Sequence, residues 1–178
     1  MHSHSMLAAA LIATTAVACK PKVQTGSPMP SGHATLRNAQ GTVVGTLNLA
    51  PSQTGVHFTG TLSGLPAGTH GIHLHAVGRC DATDFASAGG HYNPASAHHG
   101  LENPAGPHAG DFPNIVVGSS GSANVDLTNP RVTLDANPAG GLFDADGTAI
   151  VVHAGADDQR SDPSGNSGAR IACGVIER

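Results

Sequence analysis

The stretch 54-TGVHFTGTLSG-64 alternates apolar and polar side chains with a period of two. Val56, Phe58 and Leu62 fall on one face, and His57, Thr59, Thr61 and Ser63 on the other. Successive side chains of a strand point to opposite faces, so the pattern predicts a half-buried antiparallel strand. The turn Pro66-Ala67-Gly68 leads to 70-HGIHLHAVG-78, where Ile72, Leu74 and Ala76 oppose His73 and His75. Outward from this pair lie 33-HATLRN-38 and 42-TVVGTLNLA-50 on one side. On the other lie 114-NIVV-117, 122-SANVDL-127, 148-TAIVVHA-154 and 169-ARIACGVI-176. Eight short runs separated by turn signals predict an all-β fold, a sandwich or barrel of eight strands.

Composition agrees. Gly and Pro together are 24 + 12 = 36 of the 178 residues, and charged residues are only 11%. That profile favours turns and strands over helices. The formal net charge is −4 and Lys and Arg do not cluster, which argues against a nucleic-acid partner. No HExxH motif is present, which disfavours a metalloprotease.

Residues 77 to 112 show neither helical nor strand periodicity, and irregular segments of that length are usually functional. Within them, 89-GGHYNPASAHHGLENPAGPHAGD-111 supplies His91, His98, His99, His108 and Asp111. Three imidazoles and a carboxylate form a tetrahedral set that suits Zn²⁺. Spacing alone leaves open whether His98 or His99 completes it. His73 and His75, two apart on a strand, project from one face and can bind a metal side by side. His153 ends another predicted strand. Any one of these features is common on a wet surface; their combination points to a metal site.

The chain begins with an apolar run, 6-MLAAALIATTAV-17, too short to span a membrane but fitting a signal-peptide core. Ala16 and Ala18 form a small-x-small cleavage pattern directly before Cys19. This predicts a signal peptide over 1–18, a lipidated Cys19 with a flexible tether over 19–32, and a folded domain over 33–178. An ordinary secretory signal is the alternative, because Ala16 stands where a lipobox usually has Leu and the segment MHSHS carries no Lys or Arg. Both readings export the chain, to the periplasm or cell envelope. With Cys19 used at the N-terminus, Cys80 and Cys173 remain as an even pair, which in an exported protein suggests a disulfide.

The stretches 70-HGIHLH-75, 87-SAGGHYNP-94, 99-HG-100, 108-HAGD-111, 151-VVHAGADD-158 and 168-GARIACGVI-176 occur in one order. In them the chain resembles the copper/zinc superoxide dismutases, in particular their bacterial exported branch, over about residues 33 to 178. The resemblance implies an antiparallel Greek-key β-barrel or sandwich with a long metal-binding loop and a shorter active-site loop. It implies copper ligands at His73, His75, His91 and His153, and zinc ligands at His91, His99, His108 and Asp111, so that His91 bridges the metals. It places Asp157 between His73 and His99, Arg170 beside the copper, and a disulfide between Cys80 and Cys173. His70 matches a structural position, while His33 and His57 read as ordinary strand or surface histidines.

The implied activity is the dismutation of superoxide to dioxygen and hydrogen peroxide. The alternative is a non-catalytic relative that buffers or delivers copper or zinc. The implied partner is the superoxide anion, with a possible membrane anchor through Cys19, and the protein is expected as a monomer or homodimer. Two departures stand out. The 155–168 loop carries Arg160 but no lysine, and GDFPNI replaces the commoner GDLGN.

Overall fold

The computed structural model describes Met1 and residues 31–178. Apart from Met1, the expected signal peptide, Cys19 and the tether as far as residue 30 lie outside the described residues. Among the described residues nine strands follow in chain order: β1 (Gly32–Asn38), β2 (Val43–Ser52), β3 (Gly55–Ser63), β4 (Gly68–His70), β5 (Ile72–His75), β6 (Ile115–Val117), β7 (Ser122–Asn129), β8 (Ala149–His153) and β9 (Arg170–Glu177). A 3₁₀ turn, Ala86–Ala88, lies in the long loop.

All strand pairs are antiparallel. Seven strands pair in the order β5-β8-β9-β1-β2-β3-β7, and β4 pairs with β6. A tight hairpin links β6 to β7, with the Ser122 carbonyl accepting from Gly118 N–H at 2.9 Å. The barrel therefore closes through the β4–β6 pair. The neighbours β3–β7 and β5–β8 are not consecutive in the chain, as Greek-key connections require.

Nine strands stand where the sequence predicts eight, because the fourth run divides at Gly71. Up to His70 the chain pairs with β6, and from Ile72 it pairs with β8. At the division Gly71 N–H donates to Gly155 O (2.8 Å), and Gly71 O accepts from His153 N–H (2.8 Å). A Cβ there would lie 3.0 Å from Ser167 Cβ and 3.1 Å from the His73 ring. Glycine lets the strand change partners in a crowded place.

The inward faces follow the alternation. Val56, Phe58 and Leu62 are buried together with Leu36, Leu47, Leu49, Ile72, Leu74, Val125, Ile150 and Val152. Phe58 meets Phe112 edge-to-face at 5.0 Å between ring centroids. In β8 every residue is buried. Ile150 and Val152 face the barrel core, while Ala149 and Val151 pack outside it against Phe85, Ala88 and Cys173. This explains the unbroken apolar run 149-AIVV-152: a strand covered on both faces loses its alternation. The covering segment is the loop after β5, tied to β9 by the Cys80–Cys173 disulfide, with Cα atoms 5.6 Å apart and a sequence separation of 93.

Candidate metal centre

β5 turns Ile72 and Leu74 into the barrel and His73 and His75 outward, yet all four are buried. Irregular backbone has folded over the outer face. Leu74 N–H donates to Gly110 O (2.9 Å), Tyr92 N–H to Leu74 O (2.8 Å), Gly110 N–H to Tyr92 O (2.8 Å) and Ala76 N–H to Gly90 O (2.9 Å). Residues 90–92 and 110–111 thus lie along β5, and isolated bridges pair His73 with Asp111 and His75 with His91. The approach is close enough that a Cβ on Gly110 would fall 2.5 Å from Leu74 O. Through these contacts a predicted loop is fixed to a predicted strand.

One group joins His91, His99, His108 and Asp111, all converging within 4.8 Å. Asp111 Oδ1 lies 3.1 Å from His91 Nδ1, 3.1 Å from His99 Nδ1 and 3.4 Å from His108 Nδ1. His91 Nδ1 and His108 Nδ1 are 3.4 Å apart. A tetrahedron with metal–ligand distances near 2.0 Å has edges of about 3.3 Å, so this set fits Zn²⁺. The other carboxylate oxygen is held by the N–H groups of Gly100 and His108, both at 2.9 Å. That fixes which oxygen faces the group.

A second group joins His73, His75, His91 and His153. His75 Nδ1 donates to Gly89 O (2.9 Å) and His153 Nδ1 to Gly168 O (3.1 Å), leaving both Nε2 atoms free, 3.4 Å from each other. His73 Nε2 donates to Asp157 Oδ2 (2.6 Å), which leaves Nδ1 as its bare nitrogen. Among the described residues, His73 Nδ1 and His91 Nε2 are buried with no hydrogen-bond partner. A buried lone pair without a partner is costly unless something binds it. Four imidazole nitrogens, two of them orphaned, are a fitting set for copper.

Asp157 links the two groups. Its Oδ2 takes His73 Nε2–H and its Oδ1 takes His99 Nε2–H at 3.0 Å, so each ring presents Nδ1 to its own group. Asn114, which lies in the unusual GDFPNI segment, braces the Asp157 backbone through both its N–H and its C=O, each at 2.8 Å. The electrostatics of these side chains are divided. Burial pushes His73 down to about 3, His153 down to about 4 and His75 well below the ordinary imidazole value. His99 is also buried, but its hydrogen bonds to Asp111 and Asp157 outweigh burial and raise it to about 9. Both carboxyls are held well below the usual carboxylate range; burial opposes this, and the histidines prevail.

A cleft of about 420 Å³ opens onto the second group, lined by His75, His91, His108, His153, Ser164 and Arg170 among others. Arg170 donates to Phe85 O and Gly89 O, both at 2.6 Å. Arg160, the one cationic residue of the 155–168 loop, pairs with Glu102 at 2.6 Å on the surface. His98 is exposed and bonded to Asp162, outside both groups. His70 is buried, its nitrogens meeting the carbonyls of His153 (2.8 Å) and Pro66 (2.9 Å). His57 pairs with Asp126 at the surface. Sequence reasoning did not find Asn114, Asn129, Arg131 or the Gly89 carbonyl. No spacing pointed to any of the four, and Asn114 stands at the same place in GDFPNI as in the commoner GDLGN, so that departure did not single it out.

A Greek-key barrel carrying two four-ligand groups that share one histidine defines a binuclear metalloprotein scaffold. The chain belongs to the copper/zinc superoxide dismutase family, whose sequence profile matches residues 24–176. It is 46% identical over 146 residues to superoxide dismutase [Cu-Zn] 1 of Aquifex aeolicus, covering 82% of this chain and 86% of that one. It is also 40% identical over 147 residues to the superoxide dismutase-like protein YojM of Bacillus subtilis, covering 81% and 74%. Among solved structures, a superoxide-dismutase-like protein from Bacillus subtilis superposes with a TM-score of 0.76 at 39% identity, over 80% of this chain and 96% of that one. The Cu/Zn superoxide dismutase from Brucella abortus does so with a TM-score of 0.66 at 29% identity, over 83% and 99%.

Proposed function

We propose that this chain is a Cu/Zn superoxide dismutase, converting two superoxide anions and two protons to dioxygen and hydrogen peroxide. The observation that carries the reading is the pair of four-ligand groups sharing His91, with the orphaned His73 Nδ1 and His91 Nε2 in the group that faces the cleft. In this reading His73, His75, His91 and His153 hold copper, and His91, His99, His108 and Asp111 hold zinc. Copper supplies the one-electron chemistry, and redox-silent zinc supplies a fixed charge and shape.

The protein's own groups do the rest. Asp157 fixes the tautomers of His73 and His99, so that neither ring turns its bare nitrogen away. His91 lines the cleft and can hold, at Nε2, one of the protons that the reaction delivers to peroxide. Arg170 supplies positive charge at the cleft. The net charge of −4 opposes an anionic substrate, so this local charge is needed to draw superoxide in.

The rival reading, a protein that only buffers or delivers metal, draws on the likeness to superoxide-dismutase-like relatives. The complete set of seven ligand side chains together with Arg170 favours the enzyme. Stopped-flow decay of superoxide, with copper and zinc content measured on the same sample, decides between them. His75→Ala should abolish turnover while zinc stays near one per chain. A metal-loaded wild type without turnover would leave the buffering role.

We also infer export and lipidation at Cys19 after removal of 1–18. The Cys80–Cys173 disulfide suits an oxidising compartment. Cys19→Ser should move the protein out of the membrane fraction or leave its signal uncut. Unchanged solubility and processing would favour a simple secretory signal.

A further inference from the structure

The turn 108-HAGD-111 delivers two residues to the zinc group, yet it belongs to no strand of its own. Buried backbone must still be satisfied, so each carbonyl of the turn can be traced to its donor. Gly110 O accepts from Leu74 N–H of β5. The other three are served from the end of β7. Ala109 O accepts from Asn129 Nδ2 (2.8 Å), His108 O from Arg131 Nε (3.2 Å) and Asp111 O from Arg131 Nη2 (2.6 Å). His108 O also takes Asp111 N–H at 3.3 Å. The two clamping residues brace each other, since Arg131 N–H donates to Asn129 Oδ1 at 2.9 Å. Asn129 is fully buried.

We propose that Arg131, braced by Asn129, is a positioning residue that sets His108 and Asp111 for zinc. The inference rests on the zinc assignment made above. It follows from geometry: one guanidinium bonds the carbonyls of both metal-binding residues of the turn, three apart in sequence. Its rigid fork fixes the distance between those carbonyls, and with it the separation of His108 Nδ1 and Asp111 Oδ1. An ammonium on a flexible stem cannot hold two acceptors in that way. Arg131 is not among the residues that line the cleft, and its hydrogen bonds go to carbonyls of the turn; its charge also acts on the Asp111 carboxylate, and the Lys variant, which keeps that charge, isolates the effect of the fork.

The test uses the metal-free full chain and its Arg131→Met and Arg131→Lys variants. Zinc affinity is measured by competition with a chelator. Co²⁺ bound at the same group reports its geometry through the visible spectrum, and thermal melting of the metal-free proteins is followed in parallel. Arg131→Met should weaken zinc binding by about 10- to 100-fold and alter the cobalt bands. Arg131→Lys should fall between it and wild type, and decides the matter if the Met variant does not fold. Zinc affinity within twofold of wild type in the folded variants, with the cobalt spectrum unchanged, overturns the proposal, even if the melting temperature drops. That outcome would leave wild-type dismutation intact. Conversely, a wild type without dismutation would leave the zinc comparison readable.

Discussion

The Gly89 carbonyl lies 2.6 Å from Arg170 Nη2, and the same oxygen accepts His75 Nδ1–H at 2.9 Å. One backbone atom thus orients both the cleft's guanidinium and a ligand of the group it faces. Because Phe85 O holds the other arm of Arg170 at 2.6 Å, the arginine is positioned entirely by the loop that the disulfide ties down.

Reversing this charge separates attraction from metal binding. Arg170→Glu should leave copper and zinc content near wild type, because no ligand atom is removed. It should lower kcat/KM by one or more orders of magnitude and weaken its salt dependence, which comes from steering of the anion. With Arg160 neutralised by Glu102, no second cation of that loop compensates. An unchanged rate would reduce Arg170 to a brace between two carbonyls.

Cutting the disulfide tests the same arrangement from the other side. Cys80→Ser frees residues 80–90 from β9 and should cost about 2–4 kcal/mol of stability by chain entropy alone. Activity should fall further than metal content does, since Arg170 loses both of its acceptors, Phe85 O and Gly89 O, whereas His75 loses only its Gly89 contact and stays on β5. Parallel loss of copper and activity in the variant would show that the loop serves only the metal.

The strands were legible because they obey a period of two, whereas the candidate residues of the long loop, His91, His99, His108 and Asp111, follow no period and were read from short local motifs. His73 and His75 share a face by the period of two, and Val56, Phe58 and Leu62 mark the core in the same way. The division at Gly71 was hidden, since the alternation of 70-HGIHLHAVG-78 runs straight through it. What changes there is the partner strand, a tertiary fact. Arg160 was ambiguous because a charge does not announce its partner, and Glu102 is 58 residues away in sequence. Arg131 was invisible for a related reason: its acceptors are backbone carbonyls, which every residue carries.

Without metal, acid should undo the centre. His73, His75 and His153 are depressed in the fold by burial, and so is His108. Below pH 6.5 the unfolded chain binds protons at these rings and the folded chain does not. Their contribution is therefore fully present above 6.5 and lost as pH falls toward the folded values. Each ring kept neutral at pH 5 costs the fold on the order of 1–2 kcal/mol. His99, raised to about 9, works in the opposite sense: its contribution is present below 6.5 and lost as pH rises through 9. Asp111 and Asp157 withdraw theirs only below about pH 4. Metal-free protein should accordingly melt several degrees lower at pH 5 than at pH 7. A melting temperature that rose on acidification would contradict the neutral buried rings.

The adjacent histidines of the long loop give the sharpest contrast. His99 is fully buried, its Nδ1 3.1 Å from Asp111 and its Nε2 3.0 Å from Asp157. His98 points to solvent and bonds Asp162, whose other oxygen accepts the His99 N–H. A shift of one residue would place the exposed ring in the zinc group and leave Asp157 without its second histidine. His99→Ala should therefore weaken zinc binding by at least about tenfold, and should disturb His73 as well, because Asp157 loses one of its two imidazole partners. His98→Ala removes one surface pair, worth at most about 1 kcal/mol, and should leave both metals and turnover nearly intact. Zinc titration of the two variants checks the ranking, and the opposite order would remove the role given to Asp157 along with that of His99.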